Sequence, residues 1–278
     1  MKRVCYLAAI IGLFVQYSYA APKRIITLSG ALTETVDALG LGSNIVATDV
    51  TSIYPAYVKK LPKVSRNRSV STESLISFAP DLILAPEGDL SKEIQYQLKA
   101  SGIRLVTIKQ QYSATGALSF IQSVANALDL PDKGKILAQK TAQRIELANT
   151  QIKSSNAKTN KVLFIYARGT GTMSVAGKGS SVDALIKMAG GRNAISEFSD
   201  FKPYTTEALV KANPDIILLF DFGLSSLGGK ESFLKMPGVQ LTQAGKKGKI
   251  LTIDGQLLIN FSVRLPDAML SLHRKFSE

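Results

Sequence analysis

A segment that occurs twice is the feature that most restricts what this chain can fold into. Residues 71–85 and 205–219 align without a gap, 134 residues apart, and seven of the fifteen aligned positions are identical. Each copy reads as a short helix with a Ser or Thr cap and a glutamate in its first turn, then a Pro-Asp pair and a buried strand. A helix–strand unit repeated at this separation predicts two similar α/β lobes.

Further strand and helix patterns fill out both halves of the chain. In the first half they predict strands at 24–28, 44–49 and 104–108, a helix over 32–42 that closes at two glycines, and a helix at about 90–101. In the second half they predict strands at 161–167 and 249–253 and a helix over 180–191. The expected fold class is therefore α/β, with a central sheet in each lobe.

The segment between the two halves has no strand pattern. After a break at Leu130, apolar residues from Ile136 to Ile152 recur at helical spacing and predict one long helix of roughly 20 residues, about 30 Å. We therefore divide the chain into an N-terminal lobe (21–112), a linking helical segment (113–160) and a C-terminal lobe (161–278) that ends in a helix beginning near Pro266. A rigid helical connector predicts little hinge closure, and the cleft between the lobes is the expected ligand site.

Residues 1–20 have the pattern of a secretory signal peptide. A basic start precedes an apolar run of twelve residues and a small-x-small site that ends at Ala20. Twelve residues cannot span a hydrocarbon core that needs about 20. We expect cleavage after Ala20 and a periplasmic protein that is not embedded in the membrane. Cys5, the single cysteine, lies in this segment, so the mature chain has neither a disulfide nor a thiolate.

Charge and composition argue against two classes of function. The formal net charge is +13, but the lysines are scattered and no basic motif is interleaved with aromatic residues, so no nucleic-acid partner is expected. The single histidine, His273, excludes the usual zinc and Cys/His sites. We assign no catalytic residue and no catalytic cofactor. An enzyme acting on an acidic metabolite remains an alternative, and it would need an acid, base or nucleophile cluster in the cleft.

Glu73 and Glu207 occupy matching positions in the repeat. A carboxylate in the first turn stabilises a helix by a few tenths to about 1 kcal/mol, which is one interpretation of both residues. The other is that one exposed carboxylate per lobe contacts a two-fold symmetric partner.

Four stretches carry a family resemblance: 24–64, 71–85, 173–195 and 201–218. They resemble the periplasmic haem-binding proteins within the helical-backbone class of ABC-transporter substrate-binding proteins, a class that also carries cobalamin and ferric siderophores. The resemblance implies two lobes joined by a long helix, haem as the ligand transported in the cleft, and delivery to a dimeric inner-membrane permease. It also implies that Glu73 and Glu207 meet arginines of that permease.

One departure from the family pattern leaves the iron ligand open. Arg66 stands where haem-binding relatives usually have an iron-ligating tyrosine, and arginine stays protonated and cannot ligate iron. Haem could pair its propionates with Arg66, Arg68 or Arg168, with the iron held by Tyr166, by Tyr204 or by no protein group. Another anionic iron chelate, such as a ferric siderophore, or a corrinoid would be the alternative ligand.

Overall fold

The computed structural model describes residues 22–65, 69–155 and 158–277. The described residues form two sheets, each with helices packed against it, so the predicted α/β fold with two lobes is confirmed. The predicted signal peptide, Arg66 and Arg68 lie outside the described residues. None of the helices in the described ranges combines the length and apolar character needed to cross a membrane.

The N-terminal lobe is built on a parallel sheet with the strand order β2-β1-β3-β4. Its strands are β1 (Ile25–Thr27), β2 (Ile45–Thr48), β3 (Leu82–Pro86) and β4 (Arg104–Ile108). Its helices are α1 (Gly30–Val36), which continues as a π-helix (Asp37–Leu41) and a 3₁₀ turn (Gly42–Asn44), a 3₁₀ turn at Ala56–Lys60, α2 (Thr72–Ile76) and α3 (Lys92–Ala100). Gly40 has φ +86°, a conformation that glycine adopts without strain, and the helix closes there as the sequence predicts.

The linking segment contains two helices, α4 (Ala114–Ala127) and α5 (Pro131–Ser154), and α5 is the long helix predicted after Leu130. Pro131 begins α5, which has 24 residues and is therefore about 36 Å long. Near its start, Leu137 packs against the core of the first lobe, whereas Ile145 and Ile152 belong to the core of the second. The long helix thus joins the two hydrophobic cores.

The C-terminal lobe has a mixed sheet with the order β10-β9-β5-β6-β8, and β7 pairs with the start of β5. Its strands are β5 (Lys161–Ala167), β6 (Met173–Ala176), β7 (Arg192–Asn193), β8 (Phe201–Pro203), β9 (Ile216–Phe220) and β10 (Ile250–Ile253). Its helices are α6 (Ser181–Met188), α7 (Thr206–Ala212), α8 (Asp221–Ser226), α9 (Gly229–Leu234), α10 (Gln243–Lys246), α11 (Gly255–Ile259) and α12 (Leu265–Ser277), with a 3₁₀ turn at Val239–Leu241. Strand β6 runs antiparallel to β5 and β8.

The repeat builds the same unit in both lobes. Strands β1-β3-β4 and β5-β9-β10 are neighbours in the same order, and the repeated segments supply α2 with β3 and α7 with β9. The carboxylate of Asp81 accepts the backbone N–H of Lys23 at 2.8 Å, and that of Asp215 accepts the N–H of Lys161 at 2.8 Å. The repeated aspartates therefore tie each repeat to the beginning of the neighbouring strand.

Candidate ligand cleft between the lobes

Both sheets direct the carboxyl ends of their parallel strands toward one gap, which is where ligands bind in open α/β sheets. Two adjoining cavities, of ≈ 750 Å³ and ≈ 470 Å³, occupy this gap and share Thr51 and Ile259. The larger is lined from the C-terminal lobe by residues at the ends of β5, β9 and β10, the smaller from the N-terminal lobe by residues at the ends of β1 to β4. Both volumes are within the range of small-molecule sites, about 300–1,000 Å³.

Three aromatic rings form a wall of the larger cavity. Tyr166 lies edge-to-face with Phe220 and with Phe222, at 6.1 Å between centroids in each case, and the two phenylalanine rings are 5.2 Å apart. Phe222 is 44% exposed, although a phenylalanine ring is usually buried. The wall therefore offers apolar ring surface to a flat ligand.

Tyr166 and Arg168 form a polar pair beside this wall. The Nε–H of Arg168 donates a 2.6 Å hydrogen bond to the phenol oxygen of Tyr166. The guanidinium carbon of Arg168 lies 5.2 Å from the ring centroid of Phe222, a cation–π distance. The pair places one oxygen donor and one permanent positive charge at the same point of the cleft.

The N-terminal lobe contributes a loop after β2 that is held by a polar network. The backbone N–H of Thr51 donates to Asp49 at 2.9 Å, and the hydroxyls of Thr51 and Ser52 also donate to that carboxylate. The Ser52 hydroxyl is 2.8 Å from that of Thr33, and the ammonium of Lys63 donates to the Ser52 carbonyl at 2.7 Å. Burial lowers the pKa of Lys63. The network fixes Thr51 at the boundary of the two cavities.

Acidic side chains outnumber basic ones among the described residues that line the cleft. Asp221 and Asp254 line the larger cavity, Asp49 and Asp89 line the smaller, and Arg168 is the single base in this part of the lining. Asp49 accepts the backbone N–H of Thr51, and Asp254 accepts the N–H of Leu257 at 2.9 Å in capping α11. The described part of the chain holds no group of three or more His, Cys, Asp or Glu residues arranged for a metal ion.

The structure brings some of the predicted site residues to the cleft and places another elsewhere. Tyr166 and Arg168 line the larger cavity. Tyr204 does not line either cavity, because it packs against the apolar cluster on the other face of the C-terminal sheet, which includes Leu163 and Leu209. Burial raises the pKa of Tyr204, and its hydroxyl has no hydrogen-bond partner among the described residues.

Glu73 and Glu207 occupy equivalent positions outside the cleft. Each is the second residue of its helix, after a Ser71 cap that accepts from Ser74 at 3.2 Å or a Thr205 cap that accepts from Ala208 at 3.1 Å. Both glutamates are exposed, and neither carboxylate has a hydrogen-bond or ion-pair partner within the described ranges. Because the cap side chains accept these N–H groups, the carboxylates remain available to a partner.

His273 has a structural role. Its Nδ1 lies 3.0 Å from the carbonyl oxygen of Ala189 and donates to it, which ties α12 to the end of α6.

Comparison with known proteins places these features in a wider group. The model of a family described as periplasmic binding protein matches residues 25–257. An uncharacterised ABC transporter substrate-binding lipoprotein, YvrC of Bacillus subtilis, is 28% identical over 246 residues, which are 88% of this chain and 76% of that protein. A vitamin B12-binding protein of Photorhabdus laumondii is 28% identical over 206 residues, 72% of each chain.

Two solved structures match along almost the whole chain. The periplasmic haem-binding protein RhuT of Roseiflexus sp. RS-1, in its apo form, has a TM-score of 0.87 and 34% identity over 91% of this chain and 97% of its own. The periplasmic haem-binding protein BhuT in complex with two haems has a TM-score of 0.86 and 36% identity over 92% of this chain and 98% of its own.

Proposed function

The chain belongs to the periplasmic binding protein family, and from this premise we propose that it captures haem between its lobes and delivers it to the permease of an ABC importer. The proposal includes export through the predicted signal peptide, residues 1–20, and a binding role without catalysis. Haem is the ligand named for both RhuT and BhuT, which match this chain over more than nine-tenths of its length.

The observation that carries the proposal is the position of Tyr166 and Arg168 beside the aromatic wall. A tyrosine oxygen is one of the protein groups that hold haem iron. An exposed ring such as that of Phe222 suits a flat porphyrin, and a guanidinium pairs with carboxylates through two parallel hydrogen bonds. We assign Tyr166 as the iron ligand and Arg168 as the residue that orients it and contacts a propionate.

Arg66 and Arg68 remain candidates for the propionate contacts. Neither belongs to the described part of the chain, but both follow Val64, a core residue of the first lobe. Their charge would offset the aspartates of the cleft, which otherwise disfavour an anionic ligand.

Glu73 and Glu207 are proposed to contact the permease. One exposed carboxylate in each lobe, at the same position of a repeated helix, suits a two-fold symmetric partner that offers two equivalent basic groups. In this assignment the repeated glutamates contact the permease, whereas the repeated aspartates stabilise the fold by accepting backbone N–H groups.

A corrinoid is the second candidate ligand. It is also a flat macrocycle, and the similarity to a vitamin B12-binding protein of Photorhabdus laumondii favours it. A ferric siderophore is less suited, because a polyanionic chelate would meet Asp221 and Asp254 in the larger cavity.

Competition between ligands tests the proposal. The purified mature protein would be dialysed against equal concentrations of haemin and cyanocobalamin, and the retained ligand would be identified by its absorption spectrum. Retention of haemin is expected. Retention of cyanocobalamin instead would overturn the assignment of haem and leave the family assignment intact.

A further inference from the structure

The two lobes touch directly at a polar joint behind the cleft, formed by Glu34 of α1 with Asn260 and Arg264 of the C-terminal lobe. Asn260 Nδ2 and Arg264 Nη1 each donate to Glu34 Oε1 at 3.1 Å. One turn earlier on α1, a Cβ at Gly30 would overlap Gln256 and lie 2.7 Å from Asn260 Nδ2. The absence of a side chain at Gly30 is therefore what lets α1 approach α11 so closely.

The carboxylate of Glu34 is buried and incompletely paired. Glu34 is 3% exposed, and both donors converge on Oε1, so that the buried Oε2 has no partner among the described residues. Burial raises the pKa of Glu34 from 4.5 to about 7, and the nearby Arg264 opposes this shift. The joint is thus built around a carboxyl group whose environment favours its protonated form.

Further charged groups surround the joint on its outer side. The guanidinium of Arg264 lies 3.9 Å from the ring centroid of Tyr54, and Arg144 of α5 pairs with Asp267 at 2.7 Å. A cavity of ≈ 470 Å³ behind the joint is lined by these residues and by Asp37 of the π-helix that follows α1, Lys140 of α5 and Glu34 itself. Asp254, at the start of α11, adds a weaker electrostatic influence that raises the pKa of Glu34.

The joint is continuous with the floor of the cleft. Asn260 directly follows Ile259, which lines both cavities, and its amide also donates to Gln256, at 3.0 Å, which lines the larger one. A displacement of Asn260 away from Glu34 would therefore move the floor on which a ligand rests.

We propose that Glu34 is a positioning residue for the ligand cleft, because its contact with Asn260 and Arg264 holds the lobes at the separation that the ligand requires. A proton on Glu34 favours the closed joint, in which this contact is made, over a parted joint, in which it is broken. A parted joint would expose the carboxyl group to water and lower the pKa of Glu34 toward its ordinary value of 4.5. Because the closed state then binds the proton more tightly, the ratio of closed to parted joint falls about tenfold between pH 6 and pH 8.

A tryptophan at the joint would test this proposal without any ligand. The chain contains no tryptophan, so Tyr54→Trp introduces a single fluorophore against Arg264. Its emission is expected to change in one step with a midpoint near pH 7, and Glu34→Gln in the same background is expected to abolish that step. Glu93→Gln, an exposed glutamate of the same lobe, serves as the matched control and should leave the step in place.

Haem affinity gives a second readout in the protein with Tyr54 intact, and this part alone rests on the proposed function. Haem affinity should fall between pH 6 and pH 8 in the natural protein, and this decrease should exceed the decrease in Glu34→Gln by a factor of up to about ten. The proposal is supported if Glu34→Gln removes a pH-dependent step in either readout. It is overturned if the proteins with Glu34 and with Gln at this position have identical pH profiles in both readouts. If haem does not bind, the emission of the tryptophan still decides whether the joint titrates.

Discussion

The side chain of Arg168 donates a 2.6 Å hydrogen bond from Nε to the phenol oxygen of Tyr166, two residues before it at the end of β5. Both side chains line the larger cavity, beside its aromatic wall, in which the Phe222 ring is exposed. In the proposed haem site, this pair would supply an oxygen ligand for the metal and a cation for a propionate.

Replacing Tyr166 with phenylalanine should remove the iron ligand while keeping the ring that packs against Phe220. Haem affinity is expected to fall at least tenfold, or about 1.4 kcal/mol, with loss of the phenolate-to-iron charge-transfer absorption. Tyr204→Phe is the matched control, since that hydroxyl lies outside the cleft, and it should leave affinity unchanged. Equal effects of the two substitutions would refute the assignment of Tyr166.

Reversing the two repeated glutamates tests the docking surface. The double variant Glu73→Lys with Glu207→Lys should leave haem affinity unchanged and weaken association with the permease at least tenfold, because like charges at an interface repel. Binding to permease in detergent or nanodiscs measures this directly. Glu93→Lys with Glu231→Lys reverses exposed carboxylates in the first turns of other helices and should have little effect. Unchanged association of the Glu73 and Glu207 variant would eliminate these residues as contacts.

The repeated aspartates should matter for stability where the repeated glutamates do not. Asp81→Ala and Asp215→Ala each remove a side-chain acceptor for a backbone N–H, and we expect each to lower the free energy of unfolding by about 1–2 kcal/mol. Glu73→Ala and Glu207→Ala remove only a helix-dipole interaction, for which a smaller loss, a few tenths to about 1 kcal/mol, is expected. Urea unfolding of the four variants measures the difference, and equal losses would contradict the division of roles.

The raised pKa of Glu34 predicts how stability depends on pH. Burial raises the folded-state pKa to about 7, above the ordinary 4.5, so the folded state holds the proton more tightly. The resulting stability is fully present below pH 4.5 and is lost as the pH rises through 7. Between pH 5 and pH 8 the free energy of unfolding should fall by about 2–3 kcal/mol more in the natural protein than in Glu34→Gln. Parallel pH profiles of the two proteins would contradict this.

Long apolar runs made much of the fold predictable from the sequence. Strands β4 and β5 begin and end at the predicted residues, because their cores are runs of β-branched and aliphatic residues. Strand β8 is exposed and ends in Pro203, so it lacks a strand pattern. Helices α8 to α11 have four to six residues each and depend on tertiary packing rather than periodicity.

The cleft was only partly predictable, because sequence patterns mark the ends of strands but not which residues tertiary packing brings together. Tyr166 and Arg168 could be identified because they lie at the end of a strong strand, and the aromatic residues at the end of β9 carry the same signal, although it did not single out Phe220 and Phe222. Tyr204 precedes a helix, and the sequence does not show which face of the sheet it occupies. The partners of Glu34 lie 226 and 230 residues later in the chain, so no local pattern marks that joint.

The most direct test of the account is a visible-absorption titration of the purified mature protein with haemin. The account predicts a saturable shift of the Soret band together with phenolate-to-iron charge-transfer absorption that disappears in Tyr166→Phe. Absence of a saturable spectral change would contradict haem as the ligand, and saturation with a spectrum that is the same in Tyr166→Phe would contradict Tyr166 as the iron ligand.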